Sequence, residues 1–183
     1  MIGIFNLWLP FALGYSLVWL VTSLINRNIK REVPGEHTNE YKSKKLMYLF
    51  GFYPFIALFI ASIFVPIQTS TLFWVGLSIF VFGTTLNIIT INTFVRSGKG
   101  LQTSGIYRYS RNPMYATNML FILGLNLMGW AQSFANLIFI LVSLFWIGGT
   151  HWCVLQEEAF LAQKFGQTYL DYKKRAPRYW FIF

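Results

Sequence analysis

The chain has 183 residues, of which 55% are hydrophobic and only 11% carry a charge. This composition excludes an ordinary water-soluble domain, in which about a quarter of the residues are charged. A net charge of +9 would suggest nucleic-acid binding in a soluble protein. Membrane topology accounts for it better here, so we predict no nucleic-acid partner. The single cysteine, Cys153, excludes an intrachain disulfide.

Five uncharged runs have about the length of membrane-spanning helices, which need roughly 20 apolar residues. They cover residues 5–26, 46–67, 72–95, 114–129 and 134–155, and the fourth is barely long enough to cross. Short polar turns after the second and fourth runs predict two helical hairpins. The first run lacks the basic leader and the small-residue cleavage site of a secretory signal, so we expect it to be a retained helix.

The charged residues lie on one side of this predicted bundle. All 15 Lys and Arg residues, and all six acidic residues, fall in the loops at 27–45 and 96–113 or in the tail after residue 155. Because basic residues accumulate in cytoplasmic loops, this pattern favours an odd number of spans with the N-terminus outside and the C-terminus in the cytoplasm. The absence of charge at membrane depth weighs against a transporter or a proton pump.

We therefore predict an all-α, polytopic helical bundle that forms a single membrane domain, 1–183. Residues 1–95 contain three spans, and residues 96–183 contain two spans and a polar, aromatic tail that forms a helix at the membrane interface. We expect an integral multi-pass protein of the plasma or inner membrane in a prokaryote, or of the endoplasmic reticulum in a eukaryote, with its chemistry facing the cytoplasm.

Two polar segments carry most of the side chains that could do chemistry. The first precedes the fourth run and reads Gly105-Ile-Tyr107-Arg-Tyr-Ser-Arg111-Asn112-Pro113-Met-Tyr115. The second follows the fifth run and contains Glu157-Glu158, then Phe165-Gly166-Gln-Thr-Tyr169-Leu-Asp-Tyr172, then Pro177-Arg178. If the fourth and fifth runs form an antiparallel hairpin, both segments emerge side by side at the cytoplasmic interface.

The order of these motifs, over residues 105–178, resembles the integral membrane methyltransferases of the isoprenylcysteine carboxyl methyltransferase type, relatives of the phospholipid N-methyltransferases. The resemblance implies S-adenosylmethionine as methyl donor, bound by the half at 96–183, and a lipophilic or prenylated acceptor that enters from the bilayer. Asn112 stands where a His is better known. Because Asn cannot titrate near pH 7, it can bind a ligand there but cannot shuttle a proton.

The resemblance also implies site residues. The cofactor-binding residues would be Gly105, Tyr107, Arg111, Asn112, Pro113, Tyr115, Glu157, Glu158, Tyr169 and Tyr172. We predict that Arg111, Glu158 and Arg178 act in catalysis. A carboxylate would pair with the amino group or the positive charge of the donor, and an arginine would hold an acceptor carboxylate by two parallel hydrogen bonds. Adjacent carboxylates point about 100° apart on a helix, so one of Glu157 and Glu158 would face the pocket.

Other interpretations stay open. The glutamate pair could be the solvated start of the tail, and the arginines could only anchor the interface. His151 has no second ligand at helical spacing, so we predict no metal site. An NADPH-dependent enzyme that resembles membrane sterol reductases, and a noncatalytic scaffold of the same fold, are alternative functions. The methyl acceptor could be a prenylcysteine carboxylate, a phospholipid amine or a smaller group, and the oligomeric state is open.

Overall fold

The computed structural model describes residues 5–25, 44–96, 100–131 and 133–180, and in these ranges the chain is mainly helical and contains no strand. The predicted all-α class is therefore confirmed. A π-helical turn, Tyr48–Phe52, joins the second helix to the third, and a 3₁₀ turn, Gly105–Arg108, precedes the fifth. The helices in chain order are α1 (Trp8–Ile25), α2 (Lys44–Met47), α3 (Tyr53–Ser62), α4 (Thr71–Arg96), α5 (Pro113–Met128), α6 (Phe134–Phe165) and α7 (Gln167–Arg175).

Three of the described helices, α1, α4 and α6, are long and apolar enough to cross a membrane. Their surfaces expose large apolar side chains such as Trp19 and Phe134, at 72% and 77%, which lipid rather than water would cover. The other two predicted spans are shorter: the π-helical turn and α3 together form the apolar helix Tyr48–Ser62, and α5 has 16 residues. At 1.5 Å per residue α5 covers about 24 Å of a hydrocarbon core of about 30 Å. The count of five spans and their orientation stay predictions.

Short turns close one end of the bundle. The backbone N–H of Leu7 donates to the carbonyl of Val65 at 2.9 Å, and that of Gln68 donates to the carbonyl of Met128 at 3.1 Å. The start of α1, the end of α3 and the end of α5 therefore lie together. The end of α4, the start of α5 and the end of α6 lie at the opposite end, where both polar segments are found.

Helices α4 and α5 pack closely through glycines. A Cβ atom on Gly124 would lie 2.6 Å from the backbone nitrogen of Phe80 and 2.7 Å from the carbonyl oxygen of Gly76. Small residues allow this close backbone contact, as is common between membrane helices. The rings of Phe80 and Phe121 lie beside it with centroids 4.7 Å apart, and Phe11 of α1 continues the same apolar core.

The prediction that an interfacial helix begins in the tail after residue 155 is wrong in its boundary. Helix α6 continues without a break to Phe165 and ends at Gly166, whose φ is +52°. The residues at 156–165 are mostly good helix formers, and neither Gly nor Pro interrupts them, so the first charges end the apolar surface but not the helix. Glu157 and Glu158 are therefore held on α6, and α7 follows as a separate helix.

Part of the predicted cytoplasmic face lies outside the described residues. The loop at 27–45 is described only at its last two residues, and Lys99 of the next loop is not described. The placement of their charges stays a prediction.

Candidate active site

The first polar segment begins with a tight turn against α4. Gly105 has a φ of +61°, a conformation that favours glycine, and a Cβ there would lie 2.9 Å from the methyl group of Thr93. The 3₁₀ turn that follows places Tyr107 against α7, where the hydroxyl of Tyr172 donates to its carbonyl at 2.6 Å. The turn is thus fixed between α4 and α7, and Pro113 then starts α5.

Arg111 connects this segment to the C-terminal part of the chain. Its Nε donates to Oε1 of Glu158 at 3.2 Å, and its Nη1 donates to the backbone carbonyls of Lys173 and Ala176. The backbone N–H of Arg111 also donates to the carbonyl of Pro177 at 2.8 Å. A buried guanidinium that is bonded in this way holds α5, α6 and the end of α7 in a fixed arrangement.

Glu158 is the centre of a buried polar cluster. Its side chain is 4% exposed, yet it accepts hydrogen bonds from Asn112 Nδ2 at 2.9 Å and from Arg178 Nε and Nη2, both at 3.1 Å. Lys173 Nζ lies 3.8 Å from its Oε2. Three cations therefore surround one carboxylate, as burial of a charge requires.

Glu157 points in a different direction from Glu158 and contacts the other motif. The hydroxyl of Tyr115, in the first turn of α5, donates to its Oε2 at 2.8 Å. The two carboxylates thus have separate environments, as the angle between adjacent helical positions requires. Glu158 is enclosed by cations, whereas Glu157 is only partly buried and adjoins a tyrosine.

Two tyrosines of α7 are buried beside this cluster. Burial raises the pKa of both Tyr169 and Tyr172 well above the usual range, so both hydroxyls stay protonated near neutral pH. The hydroxyl of Tyr172 is bonded to Tyr107, whereas that of Tyr169 has no hydrogen-bond partner among the described residues. A buried polar group without a partner costs about 1–3 kcal/mol, so this hydroxyl needs an explanation.

A polar cleft lies between the segment at 103–109 and the end of α7. Its volume is about 460 Å³, within the size range of small-molecule sites. Tyr172 contributes both to the cleft and to the packing around the cluster. The lining residues are Thr103, Arg108, Tyr109, Tyr172, Arg175 and Ala176.

The segment at 176–180, which follows α7, lies along α6. The hydroxyl of Ser110 donates to the carbonyl of Arg178 at 2.8 Å, while the guanidinium of Arg178 binds Glu158. The hydrogen bond to Glu158 raises the pKa of Arg178, so it stays charged. One residue later, the hydroxyl of Tyr179 lies 3.2 Å from Nδ1 of His151. Burial raises the pKa of Tyr179 to about 12.

The structure brings the predicted site residues to one end of the bundle. Arg111, Asn112, Glu158 and Arg178 are in direct contact, and Tyr115 meets Glu157. The sequence interpretation missed the contributions of Ser110, Lys173 and Tyr179, and it considered His151 without placing it beside Tyr179. Lys173 acts in part through its backbone carbonyl, and Tyr179 is placed by the direction of the C-terminal segment. Neither feature produces a pattern of side chains in the sequence. In the described part of the chain, His, Cys, Asp and Glu form no group of three or more that could hold a metal.

Two comparisons with known proteins fit this arrangement. Residues 56–168 match a family model described as Phospholipid methyltransferase. The chain is 29% identical over 137 residues to a Dictyostelium discoideum protein named Protein-S-isoprenylcysteine O-methyltransferase, and the match covers 66% of this chain and 54% of that protein. The chain thus spans about half the length of this relative. The resemblance inferred from the motifs is confirmed, and with more than half of its residues matched the chain belongs to the phospholipid methyltransferase family.

Proposed function

We propose that this protein is an S-adenosylmethionine-dependent methyltransferase that acts at the membrane interface on a lipophilic or small amphipathic acceptor. The observation that carries the proposal is the meeting of Arg111, Asn112 and Arg178 at the buried carboxylate of Glu158. This cluster joins the start of α5, the end of α6 and the segment after α7. The family match supports methyl transfer and does not favour an NADPH-dependent reductase.

The residues around the cluster fit a methyl donor of this kind. When bound, S-adenosylmethionine supplies a methyl group that its positively charged sulfur has already activated. The carboxylate of Glu157 suits the ammonium group or the sulfonium of such a ligand. The hydroxyl of Tyr169, buried and without a partner among the described residues, offers it a hydrogen bond. The polar cleft is lined in part by Tyr172, whose ring lies beside that of Tyr169.

The other predicted cofactor-binding residues have supporting parts in this proposal. Gly105 and Pro113 shape the backbone at the two ends of the segment that precedes α5. Tyr107 accepts the hydrogen bond of Tyr172 and so keeps that ring at the cleft. Tyr115 orients Glu157 through its hydroxyl. Because the donor is already activated, alignment and exclusion of water are the main tasks left to the protein.

We assign different roles to the two arginines. Arg111, with a side chain only 2% exposed, directs its donors at Glu158 and at two backbone carbonyls, so it positions the cluster. Arg178 is 19% exposed and binds Glu158 through two donors. Arg178 is therefore the better candidate to hold an anionic group of the acceptor, while Glu158 keeps both arginines in place.

We propose a multi-pass arrangement with this end of the bundle at the cytoplasmic interface. The long apolar helices support insertion in a bilayer, and the described cations gather at the end that carries the cluster. An acceptor would then enter from the lipid between helices. The name of the Dictyostelium relative suggests a prenylcysteine carboxylate, and the family description suggests a phospholipid amine.

The proposal is tested by cofactor binding to the purified protein in lipid nanodiscs. We expect isothermal titration calorimetry to detect S-adenosylmethionine and not NADPH. Glu157→Gln should weaken the affinity about tenfold, because one charge-assisted hydrogen bond is lost. Asp171→Asn is the matched control, since this carboxylate lies on the surface of α7, where Gln167 and Lys174 are its hydrogen-bond partners among the described residues.

Methyl transfer is the second measurement. Radiolabelled methyl groups should pass from the donor into the lipid extract of the reaction. Binding of NADPH without S-adenosylmethionine would establish the reductase alternative instead. Tight binding of the donor with no methyl transfer to any lipid, peptide or small-molecule acceptor would indicate a noncatalytic protein of the same fold. An equal affinity of Glu157→Gln and the parent protein would refute the assignment of Glu157.

A further inference from the structure

Four residues at intervals of seven follow one face of α6: Leu137, Leu144, His151 and Glu158. A spacing of seven residues rotates an α-helix by only about 20°, so these side chains form a line in which each step is about 10.5 Å. The first two are apolar and exposed, at 52% and 61%. The line therefore runs from a lipid-facing surface, through a half-buried histidine, to the polar cluster.

His151 is unusual for its position. It lies in the apolar part of α6, where an ionisable side chain is rare and generally marks a functional site. Its Nδ1 atom lies 3.2 Å from the hydroxyl of Tyr179, the residue after the arginine that binds Glu158. The segment at 176–180 thus links His151 to the cluster. The contact of Tyr179 with Nδ1 also fixes the orientation of the imidazole ring.

Resting on the proposed methyltransferase function and on the phospholipid amine that the family description suggests as acceptor, we propose that His151 is the proton acceptor of the reaction and takes its proton from the ammonium group of that acceptor. The ammonium N–H proton passes to the lone pair on Nε2 of His151. The freed lone pair on nitrogen forms a bond to the methyl carbon while the carbon–sulfur bond breaks. The electron pair of the broken bond stays on sulfur in S-adenosylhomocysteine. The proton on His151 then passes to water.

Tyr179 serves as a positioning residue in this step. With the proton of the neutral ring on Nδ1, that N–H donates to the Tyr179 oxygen, and Nε2 carries the lone pair that receives the proton. After the transfer both ring nitrogens carry protons, and the same oxygen still accepts the bond from Nδ1. Because burial keeps Tyr179 protonated, the hydroxyl stays neutral through the cycle.

The other polar groups near this line are less suited to receive the proton. Asn112 cannot titrate, and Glu158 is enclosed by three cations. Tyr179 is in direct contact with His151, and it interacts electrostatically with Arg178, Glu158 and Cys153. The hydroxyl of Tyr115 of α5 binds Glu157. On α7, Tyr169 and Tyr172 both interact electrostatically with Glu158. The part of the π-helical turn that packs on α6, at Phe50 and Gly51, has no titratable side chain.

The exposed leucines suggest how the acceptor is held. A hydrocarbon chain along Leu137 and Leu144 would place a polar head at His151, one step of the line below Glu158. A carboxylate nucleophile is already deprotonated at neutral pH and needs no proton acceptor, so His151 would serve no purpose for it. An ammonium has no free lone pair until it loses a proton, which is the role that His151 supplies.

The test compares two acceptors in nanodiscs: dioleoyl phosphatidylethanolamine, which carries an amine, and N-acetyl-S-farnesylcysteine, which carries a carboxylate. We expect His151→Gln to lower the rate of amine methylation about 100-fold at pH 7, within the usual contribution of a general base. The loss should shrink as the pH approaches about 10, where an alkyl amine deprotonates without help. Tyr179→Phe should give a smaller loss with the same pH trend. Trp152→Phe, which changes the neighbouring ring that packs on Phe50, is the control and should leave the rate unchanged.

A second readout does not depend on turnover. Diethyl pyrocarbonate modifies neutral imidazole, and site-resolved mass spectrometry follows the modification of His151 apart from that of His37. We expect phosphatidylethanolamine to slow modification of His151 several-fold and the farnesylcysteine to leave it unchanged. This measurement also applies to the parent protein alone, so it holds even where a variant fails to fold.

The outcomes separate this inference from the proposed function. If the parent protein binds S-adenosylmethionine and methylates only the carboxylate, or if His151→Gln methylates the amine at the parent rate across the pH range, the role of His151 is refuted and the methyltransferase function stands. If the parent protein binds no S-adenosylmethionine, both proposals fail together.

Discussion

Arg111 and Glu158, 47 residues apart in the chain, form a buried ion pair in which the arginine Nε lies 3.2 Å from the glutamate Oε1. The same guanidinium bonds to the carbonyls of Lys173 and Ala176. One side chain thus connects the start of α5, the end of α6 and the end of α7. Arg111 therefore helps to hold the three parts of the candidate site together.

Arg111→Lys should therefore lower stability, because one ammonium group cannot replace the guanidinium bonds to a carboxylate and two carbonyls. We expect a loss of about 1–3 kcal/mol, the usual cost of leaving buried hydrogen-bonding groups unsatisfied. Thermal unfolding in detergent micelles, followed by tryptophan fluorescence, measures the change. Arg175→Lys is the matched control, since Arg175 is exposed and, within the described part of the chain, bonds to the carbonyl of Asp171 alone. Equal midpoints for the two variants would show that Arg111 is not a structural connector.

Tyr169→Phe separates a structural hydroxyl from a ligand-binding one. The hydroxyl is buried and has no partner among the described residues, so its removal should relieve an unfavourable burial and leave the free protein as stable or more stable. If the hydroxyl binds S-adenosylmethionine, the same change should weaken the affinity several-fold. Unfolding and calorimetry on the same preparation give both values. A variant that is less stable and binds the donor as well as the parent protein would contradict both parts.

The sequence predicts helix limits well where polar turns flank an apolar run. The third run was predicted at 72–95, and α4 covers Thr71–Arg96. The end of α6 was not predicted, because the charges after residue 155 end the apolar surface without breaking the helix. Gly166 is the residue that ends it. The change in hydrophobicity therefore locates the edge of the predicted span, and the glycine locates the end of the helix.

The candidate site shows a similar division. One motif precedes the fourth apolar run and the other follows the fifth, so a hairpin of these two runs places both motifs at its open end. The sequence alone therefore predicts that Arg111 and Glu158 lie near each other. The bonds from Arg111 to backbone carbonyls cannot be foreseen, because every residue has a carbonyl and only the path of the chain selects which is used. The contact between His151 and Tyr179 likewise depends on the direction that the chain takes after Pro177, a feature without a local sequence signal.

Stability should fall at alkaline pH in part through Tyr179. Its folded-state pKa is about 12 because of burial, compared with about 10 in an unfolded chain. The folded state therefore binds the proton more tightly. The resulting contribution of Tyr179 to the free energy of unfolding is complete below about pH 10 and is lost as the pH rises through 12. Unfolding midpoints from pH 9 to 12 should fall less steeply for Tyr179→Phe than for the parent protein. Parallel curves would show that Tyr179 does not contribute.

A pair of glycine substitutions tests the packing that supports the site. In Gly124→Ala the new methyl group would lie 2.6 Å from the backbone nitrogen of Phe80, so α4 and α5 must separate. We expect a loss of about 1–3 kcal/mol, the usual cost of overpacking. Gly148→Ala is the control on α6, because nothing lies within 4 Å of its Cβ position. It should gain about 0.5–1 kcal/mol from better helix propensity. The contact between α4 and α5 helps to hold the start of α5, so Gly124→Ala should also weaken donor binding. If Gly124→Ala and Gly148→Ala lose the same stability, separation of α4 from α5 is not the cause of the loss.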